Sequence, residues 1–317
     1  MFKIQTIHEN GFEKLRLADN TGDCYAEIIP ACGAILNNFS VRRGNSWLNV
    51  IDSYKDKIEF EEECEAKGFK SNKLSPFVCR LNESSYLLEN KRYTVEKFLL
   101  DGAAIHGLIY NEPFTVIDRS NDETSASVTL LHSYKGSDPG YPFSYDCEIA
   151  YTLEKGHILN LFTKITNQSD LTIPVTDGWH PYFNMGGKID DLLLEFQSMD
   201  ILEFDDSLIP TGKKIRYEEF GSLKKIGDTF LDNCFTLDLT ECQPLCVLRN
   251  PVINIQLEIH PDSSYPYLQI YTPPHRHSIA IENLSGAPDA FNNGMGLILL
   301  KPGEKTSFRT RYKIADY

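Results

Sequence analysis

Hydrophobic and polar positions alternate with a period of two over much of the chain. Cys147, Ile149, Tyr151 and Leu153 alternate with Glu148, Ala150 and Thr152, and Ile253, Ile255, Leu257 and Ile259 alternate with Asn254, Gln256, Glu258 and His260. Such alternation predicts strands with one wet face. Glu-Lys-Gly-His follows Leu153 and a second β-rich run covers 158–166, which predicts a hairpin. Similar short runs occupy 24–29, 34–42, 86–88, 92–98, 114–118, 126–134, 192–204, 267–272, 278–282, 297–300 and 307–314. Turn residues separate them: Pro30, Asn90-Lys91, Asp101-Gly102, Asp138-Pro139-Gly140 and Lys301-Pro302-Gly303.

Helical patterning is scarce. The best candidate lies within 52–67, where Asp52, Asp56, Glu59, Glu61, Glu62, Glu63 and Glu65 crowd together. A solvated acidic face explains this crowding more simply than a cation site does. No Pro/Gly/Ser linker and no internal repeat divides the sequence, so a single antiparallel β domain over 1–317 is expected.

Charge narrows the partners. Asp and Glu number 45 against 31 Lys and Arg, a formal charge of −14, and the longest basic runs are pairs such as Arg42-Arg43 and Lys224-Lys225. Such a surface repels nucleic acid and anionic bilayers, and suits a neutral small molecule. No apolar run approaches the ~20 residues of a membrane helix. The first ten residues lack a secretory pattern, so a cytoplasmic protein is expected, as a monomer or homodimer. None of the eight cysteines shows C-x-x-C spacing, which favours buried thiols over a zinc ribbon or a disulfide framework. The sequons at Asn82, Asn167 and Asn283 carry little weight without a secretion signal.

Three segments hold candidate chemistry. His106 precedes Gly107, which lets backbone pass close by while the imidazole projects. His180 sits among Trp179, Tyr182 and Phe183. Aromatic faces around a polar group suit a sugar ring, whose C–H faces are apolar and whose hydroxyls are not. Glu282 is read as ending an apolar strand, where poor solvation would raise its pKa towards a useful range for a base. Each residue also has a bland reading, as a structural hydrogen-bonder or a turn residue. Nucleotide-binding and nucleophile-elbow motifs are absent, so no cofactor is expected.

Taken together, the segments resemble the aldose 1-epimerase (galactose mutarotase) family across about residues 22–315. In order, they are IIPACGA (28–34), SPFVCRLNESSYLLENKRYTV (75–95), HGLIYNEPF (106–114), GYPFSYDCEIAYTL (140–153) and PVTDGWHPYFNM (174–185). DNCFTL (232–237), LQIYTP (268–273), IENLSGAPDAFN (281–292) and LKPGE (300–304) follow. The resemblance implies an all-β fold, a large antiparallel β-supersandwich with few short helices and a site in its cleft. It implies an isomerase that interconverts the anomers of a free aldose, an aldohexose by expectation. In that reading Glu282 is the base at the anomeric hydroxyl and His180 is the acid at the ring oxygen. His106, Arg80 and Asp232 match positions that hold the sugar, and neither metal nor cofactor is implied.

Two residues depart from the family pattern. Cys79 stands where Asn commonly precedes the Arg, and Tyr110 stands where a polar residue often follows His-Gly. Both are expected to affect which sugar fits. A sugar phosphate stays open as substrate, with Arg42, Arg43 or Lys73 as candidate partners of the phosphate. A non-catalytic sugar-binding module also stays open. So do a two-His/one-Glu metal site and a glycosidase built on Glu282 and Asp232. His275 and His277 form an H-x-H after Pro273-Pro274, where a loop is expected.

Overall fold

The computed structural model describes residues 1–317. Strands whose alternation is cleanest are the longest. Ser144–Glu154 buries every second residue from Tyr145 to Leu153, and it pairs antiparallel with Ile158–Asn167 through the predicted hairpin. Both belong to a nine-stranded antiparallel sheet. Its spatial order is Thr115–Asn121, Ser125–Lys135, Ser144–Glu154, Ile158–Asn167, Lys305–Asp316, Ile255–Ile259, Cys246–Asn250, Leu193–Phe196 and Lys224–Lys225.

A second antiparallel sheet packs against the first. It runs Pro210–Arg216, Ser198–Phe204, Asp232–Leu237, Tyr267–Tyr271, Ile279–Leu284, Gly178–His180 and Asn72–Leu74, with Tyr182–Phe183 also paired to Ile279–Leu284. Leu268, Ile270, Ile279 and Ile281 share one apolar core with Ile149, Tyr151, Leu161 and Tyr312 of the nine-stranded sheet. Trp179 meets Tyr151 at 5.8 Å between ring centroids, and Phe183 meets Tyr312 at 5.4 Å. The period of two then turns Cys234, Gln269 and Glu282 to the opposite face. A meander from Lys3–Glu9 to Ser46–Asn49 and a small sheet of Leu99–Leu100, Ala103–Ile105 and Arg80–Leu81 complete the architecture. This is the expected antiparallel β-supersandwich.

The acidic helix is shorter than its pattern, covering Lys57–Glu63. Asp56 caps it by accepting from the Glu59 N–H at 2.8 Å, while Glu59 reaches back to the Lys55 N–H at 2.7 Å. Glu61, Glu62 and Glu63 face solvent, as a solvated face requires. The other α-helical segment is Ala290–Asn293. No helix is long and apolar enough to cross a membrane.

Several predicted boundaries move. The strand expected from Ile253 begins at Ile255, because Asn254 takes a left-handed φ of 51° and leaves Ile253 exposed. The run 92–98 ends at Thr94, and 192–204 divides into two strands around Gln197. Glu282 lies inside a strand rather than at its end. Asn283 and Leu284 continue the pairing with Leu268 and Tyr267, and Asn283 accepts from Thr310 in the core at 2.7 Å. All eight cysteines are free and six are buried. Asn167 and Asn283 are fully buried, which removes two of the three sequons from glycosylation.

Candidate active site

The free face of the second sheet forms the floor of a cavity of about 250 Å³. Pairing of Gly178 with Leu284 and of Tyr182 with Ala280 places His180 opposite Glu282 by count. His180 also pairs with Asn72, Glu282 with Gln269, and Gln269 with Cys234. One cross-strand row, Asn72–His180–Glu282–Gln269–Cys234, therefore crosses the floor. Asp232 enters two residues before Cys234 on the same face, and its carboxylate accepts from Gln269 Nε2 at 3.0 Å. His180 Nε2 lies 3.4 Å from Glu282 Oε1.

The facing wall comes from the small sheet and the turn after it. Arg80 pairs with Ile105, and His106 follows with its N–H donating to the Cys79 carbonyl at 2.9 Å. Gly107 allows the close passage its sequence position suggested. Its φ is +78°, and a Cβ there would sit 2.1 Å from the Ser75 carbonyl oxygen. The His106 ring stands edge-on to His180 at 4.8 Å and to Phe69 at 4.7 Å. Tyr182 stacks on His180 at 5.2 Å. All five expected residues, Glu282, His180, His106, Arg80 and Asp232, line this one cavity.

Burial dominates the electrostatics. It pushes Glu282 well above the usual carboxylate range, and the neighbouring Asp232 adds to the shift. Burial also pushes His180 down to about 4. His106 falls for the same reason, with further lowering by His180 and Arg80. Asp232 is raised by burial against the opposing pull of Arg80 and Gln269. The Arg80 guanidinium has weak ties, a 3.4 Å contact to the Leu100 carbonyl and 4.0 Å to exposed Asp101. Within the cavity, His106 Nδ1, His180 Nδ1, Glu282 Oε2 and Gln269 Oε1 are buried with no hydrogen-bond partner in the protein. Unpaired buried polar atoms are rare and costly, and their concentration on residues that line one cavity sets this site apart from the apolar core.

Other sequence expectations fare differently. Lys73 cannot meet a phosphate, because it is fully buried and its Nζ donates to Asp177 at 2.6 Å. Arg43 pairs with Asp316 away from the cavity, which Arg42 does not line either. Tyr110 does not line the cavity. It packs behind Phe69 at 5.4 Å, in a small apolar cluster with Phe69 and Ile105, both of which line the cavity. Cys79 does line it, with φ of 50°. No group of three or more His, Cys, Asp or Glu side chains is arranged to hold a metal ion. His275 and His277 lie in a loop, as expected. Sequence reasoning missed Gln269, Phe69 and Tyr271 as cavity residues, since none belongs to a pattern that signals chemistry.

Comparisons with known proteins agree with this architecture. A galactose mutarotase-like protein of Clostridium acetobutylicum superposes with a TM-score of 0.86 at 20% identity, covering 100% of this chain and 99% of that one. Galactose 1-epimerase of Lactobacillus acidophilus gives a TM-score of 0.83 at 19% identity, with coverage of 100% and 99%. In sequence, the uncharacterized protein YihR of Escherichia coli is 27% identical over 240 residues, 73% of this chain and 74% of that protein. The family model for aldose 1-epimerase matches residues 17–313, nearly the whole of both large sheets, and the chain belongs to that family.

Proposed function

We propose that the protein interconverts the α and β anomers of a free aldose by acid/base-catalysed ring opening and reclosure. The observation that carries this reading is the buried contact between His180 and Glu282 on neighbouring strands, at the floor of a cavity rimmed by His106, Arg80 and Asp232.

Ring opening removes a proton from the anomeric hydroxyl and delivers one to the ring oxygen. In this reading Glu282 takes the first proton and His180 gives the second. C1–C2 rotation and closure on the other face, with the roles exchanged, yield the other anomer. The shifts on the two residues bear on how the pair is loaded. Burial favours the uncharged form of each, a protonated Glu282 beside a neutral His180. The working pair, carboxylate and imidazolium, holds the same number of protons. A single transfer along the 3.4 Å contact converts one state to the other, without exchange with solvent. Each positioned acid or base contributes on the order of 10²–10⁴ in rate.

Arg80 and Asp232 hold hydroxyls in this scheme. Gln269 fixes the Asp232 carboxylate, and Tyr182 keeps the His180 ring in plane. Polarimetry or NMR on freshly dissolved single anomers, across a panel of aldoses that includes phosphorylated ones, tests the proposal. Acceleration over the spontaneous rate for a free aldose supports it. Binding without acceleration would instead favour a sugar-binding module.

A further inference from the structure

The outer face of the nine-stranded sheet carries a separate pocket of about 600 Å³, which shares no residue with the cavity. Register builds it. Asn160 pairs with Arg311 and Phe162 with Arg309, so two cross-strand rows, Thr152–Asn160–Arg311 and Ala150–Phe162–Arg309, lie side by side on one face. Thr310, between the two arginines, points the other way and donates to Asn283 in the core. Arg311 and His260 exchange backbone hydrogen bonds at 2.8 and 3.2 Å, which extends the first row to His260.

Arg311 is steadied from one side only. Its guanidinium donates to His260 Nδ1 at 3.1 Å, and His260 Nε2 lies 3.2 Å from Glu258 Oε2. Burial and the nearby Arg311 lower the pKa of His260, so a neutral ring that accepts at Nδ1 and donates at Nε2 fits both contacts. Lysines of the adjoining rows are matched, Lys164 to Glu148 at 2.7 Å and Lys313 to Glu258 at 3.1 Å. Neither Arg309 nor Arg311 forms an ion pair, although the chain carries a formal charge of −14 and has carboxylates to spare. The Arg309 guanidinium lies 5.1 Å over the Phe162 ring. Asp262 is the one carboxylate that lines the pocket, and its Oδ1 accepts from the Ser264 N–H at 2.8 Å and from the Ser264 hydroxyl. Asn160 Nδ2 is buried beside the arginines without an acceptor.

We propose that this pocket is an anion site for a phosphate monoester, whose phosphate sits between Arg309 and Arg311. Residues two apart on a strand stand about 7 Å apart at Cα, close enough for both guanidinium forks to turn onto one tetrahedral group. Two forks offer more donors than the two oxygens of a carboxylate can engage in plane, whereas the terminal oxygens of a phosphate accept from both. The site is independent of the mutarotase reading, because it lies on the other side of the sandwich from His180 and Glu282.

The test is calorimetry and phosphorus NMR on the full chain at fixed ionic strength, with inorganic phosphate, glycerol 3-phosphate, citrate and acetate as probes. Glycerol 3-phosphate is expected to bind at a single site, more tightly than citrate or acetate. Arg309→Gln/Arg311→Gln is expected to weaken it by about tenfold or more, with the thermal transition as the check on folding. Arg311→Lys keeps the charge but loses the fork, and should weaken it by about fivefold or more; it carries the test alone if the double variant does not fold. Arg80→Gln alters the cavity and should leave this binding unchanged. Absence of saturable binding, or unchanged affinity in the double variant, overturns the proposal. Full affinity in Arg311→Lys overturns it in favour of diffuse charge attraction, and tighter binding of citrate overturns it in favour of a carboxylate ligand. Loss of binding in Arg80→Gln overturns it by placing the anion in the cavity.

Discussion

Lys73 and Asp177, both fully buried, meet at 2.6 Å directly behind the strand that carries His180. Lys73 also donates to Thr163 at 3.1 Å on the facing sheet and to the Gly178 carbonyl at 3.1 Å. Tyr265 donates to the same Asp177 oxygen at 2.6 Å, and the Lys73 ammonium lies 4.3 Å over the Trp179 ring. The cluster joins the two large sheets beneath the cavity floor.

Removing one partner strands the other charge without water. Lys73→Met should therefore cost about 3–5 kcal/mol. Pairing it with Asp177→Leu should recover much of the loss, because two apolar side chains remove the buried charge altogether. Denaturant unfolding of the two single variants and the double checks this. A Lys73→Met protein within 1 kcal/mol of wild type, an order-of-magnitude threshold, would show that the pair is not a buried ion pair in solution.

Cys79→Asn should fold and change sugar preference. The left-handed φ of 50° at this position suits Asn better than Cys. Against that gain, the thiol packs with Leu74, Val78, Cys234 and Leu284, where an amide needs a partner. In the proposed reaction a substrate hydroxyl in the facing cavity supplies one. Relative kcat/KM values across a panel of aldoses should reorder while the thermal transition persists. Loss of the transition would mark Cys79 as a packing residue first.

What could be read in advance follows from solvent exposure. Ser144–Glu154 has one wet face, so its alternation is visible in the sequence. Ile279–Leu284 is buried on both faces, and no alternation distinguishes Glu282 from a strand end. Lys3–Glu9 and Phe12–Ala18 escaped notice, the first because its exposed residues resemble a polar tail. His106, His180 and Glu282 stand out from their immediate neighbours in the sequence, whereas Arg80, Asp232 and the grouping of all five are legible only through family resemblance, since they converge from separate segments. Gln269 joins them through register with Glu282, which no local pattern encodes. Lys73 was misread because lysine is ordinarily solvated, and its partner Asp177 is reached only through the fold.

The pH profile should be a broad bell. One proton on the His180–Glu282 pair is required. A second proton must enter His180, which burial has moved down to about 4, so the acid limb should lie near that value rather than near 6.5. Loss of the single proton must come from Glu282, which burial has raised, so the alkaline limb should lie well above the ordinary carboxylate pKa. The profile of kcat/KM, corrected for spontaneous mutarotation, reports these free-enzyme limbs. An acid limb near 6.5 would show a solvated histidine acting alone.

The pair itself gives the most direct test. Glu282→Gln preserves shape and much of the hydrogen bonding but removes the base, and His180→Gln removes the acid. Each should lower kcat by on the order of 10²-fold or more while sugar still binds. The double variant should be little worse than either single one, because in the proposed mechanism the two residues, 3.4 Å apart, act as one acid/base unit. Stability should move the other way. Glu282 is buried, and its Oε2 has no partner in the protein, so Glu282→Gln should leave the thermal transition unchanged or raise it. Loss of rate without loss of fold separates a catalytic role from a structural one. Full wild-type activity in Glu282→Gln would remove that residue from the mechanism, and additive losses in the double variant would show that His180 and Glu282 act on separate steps.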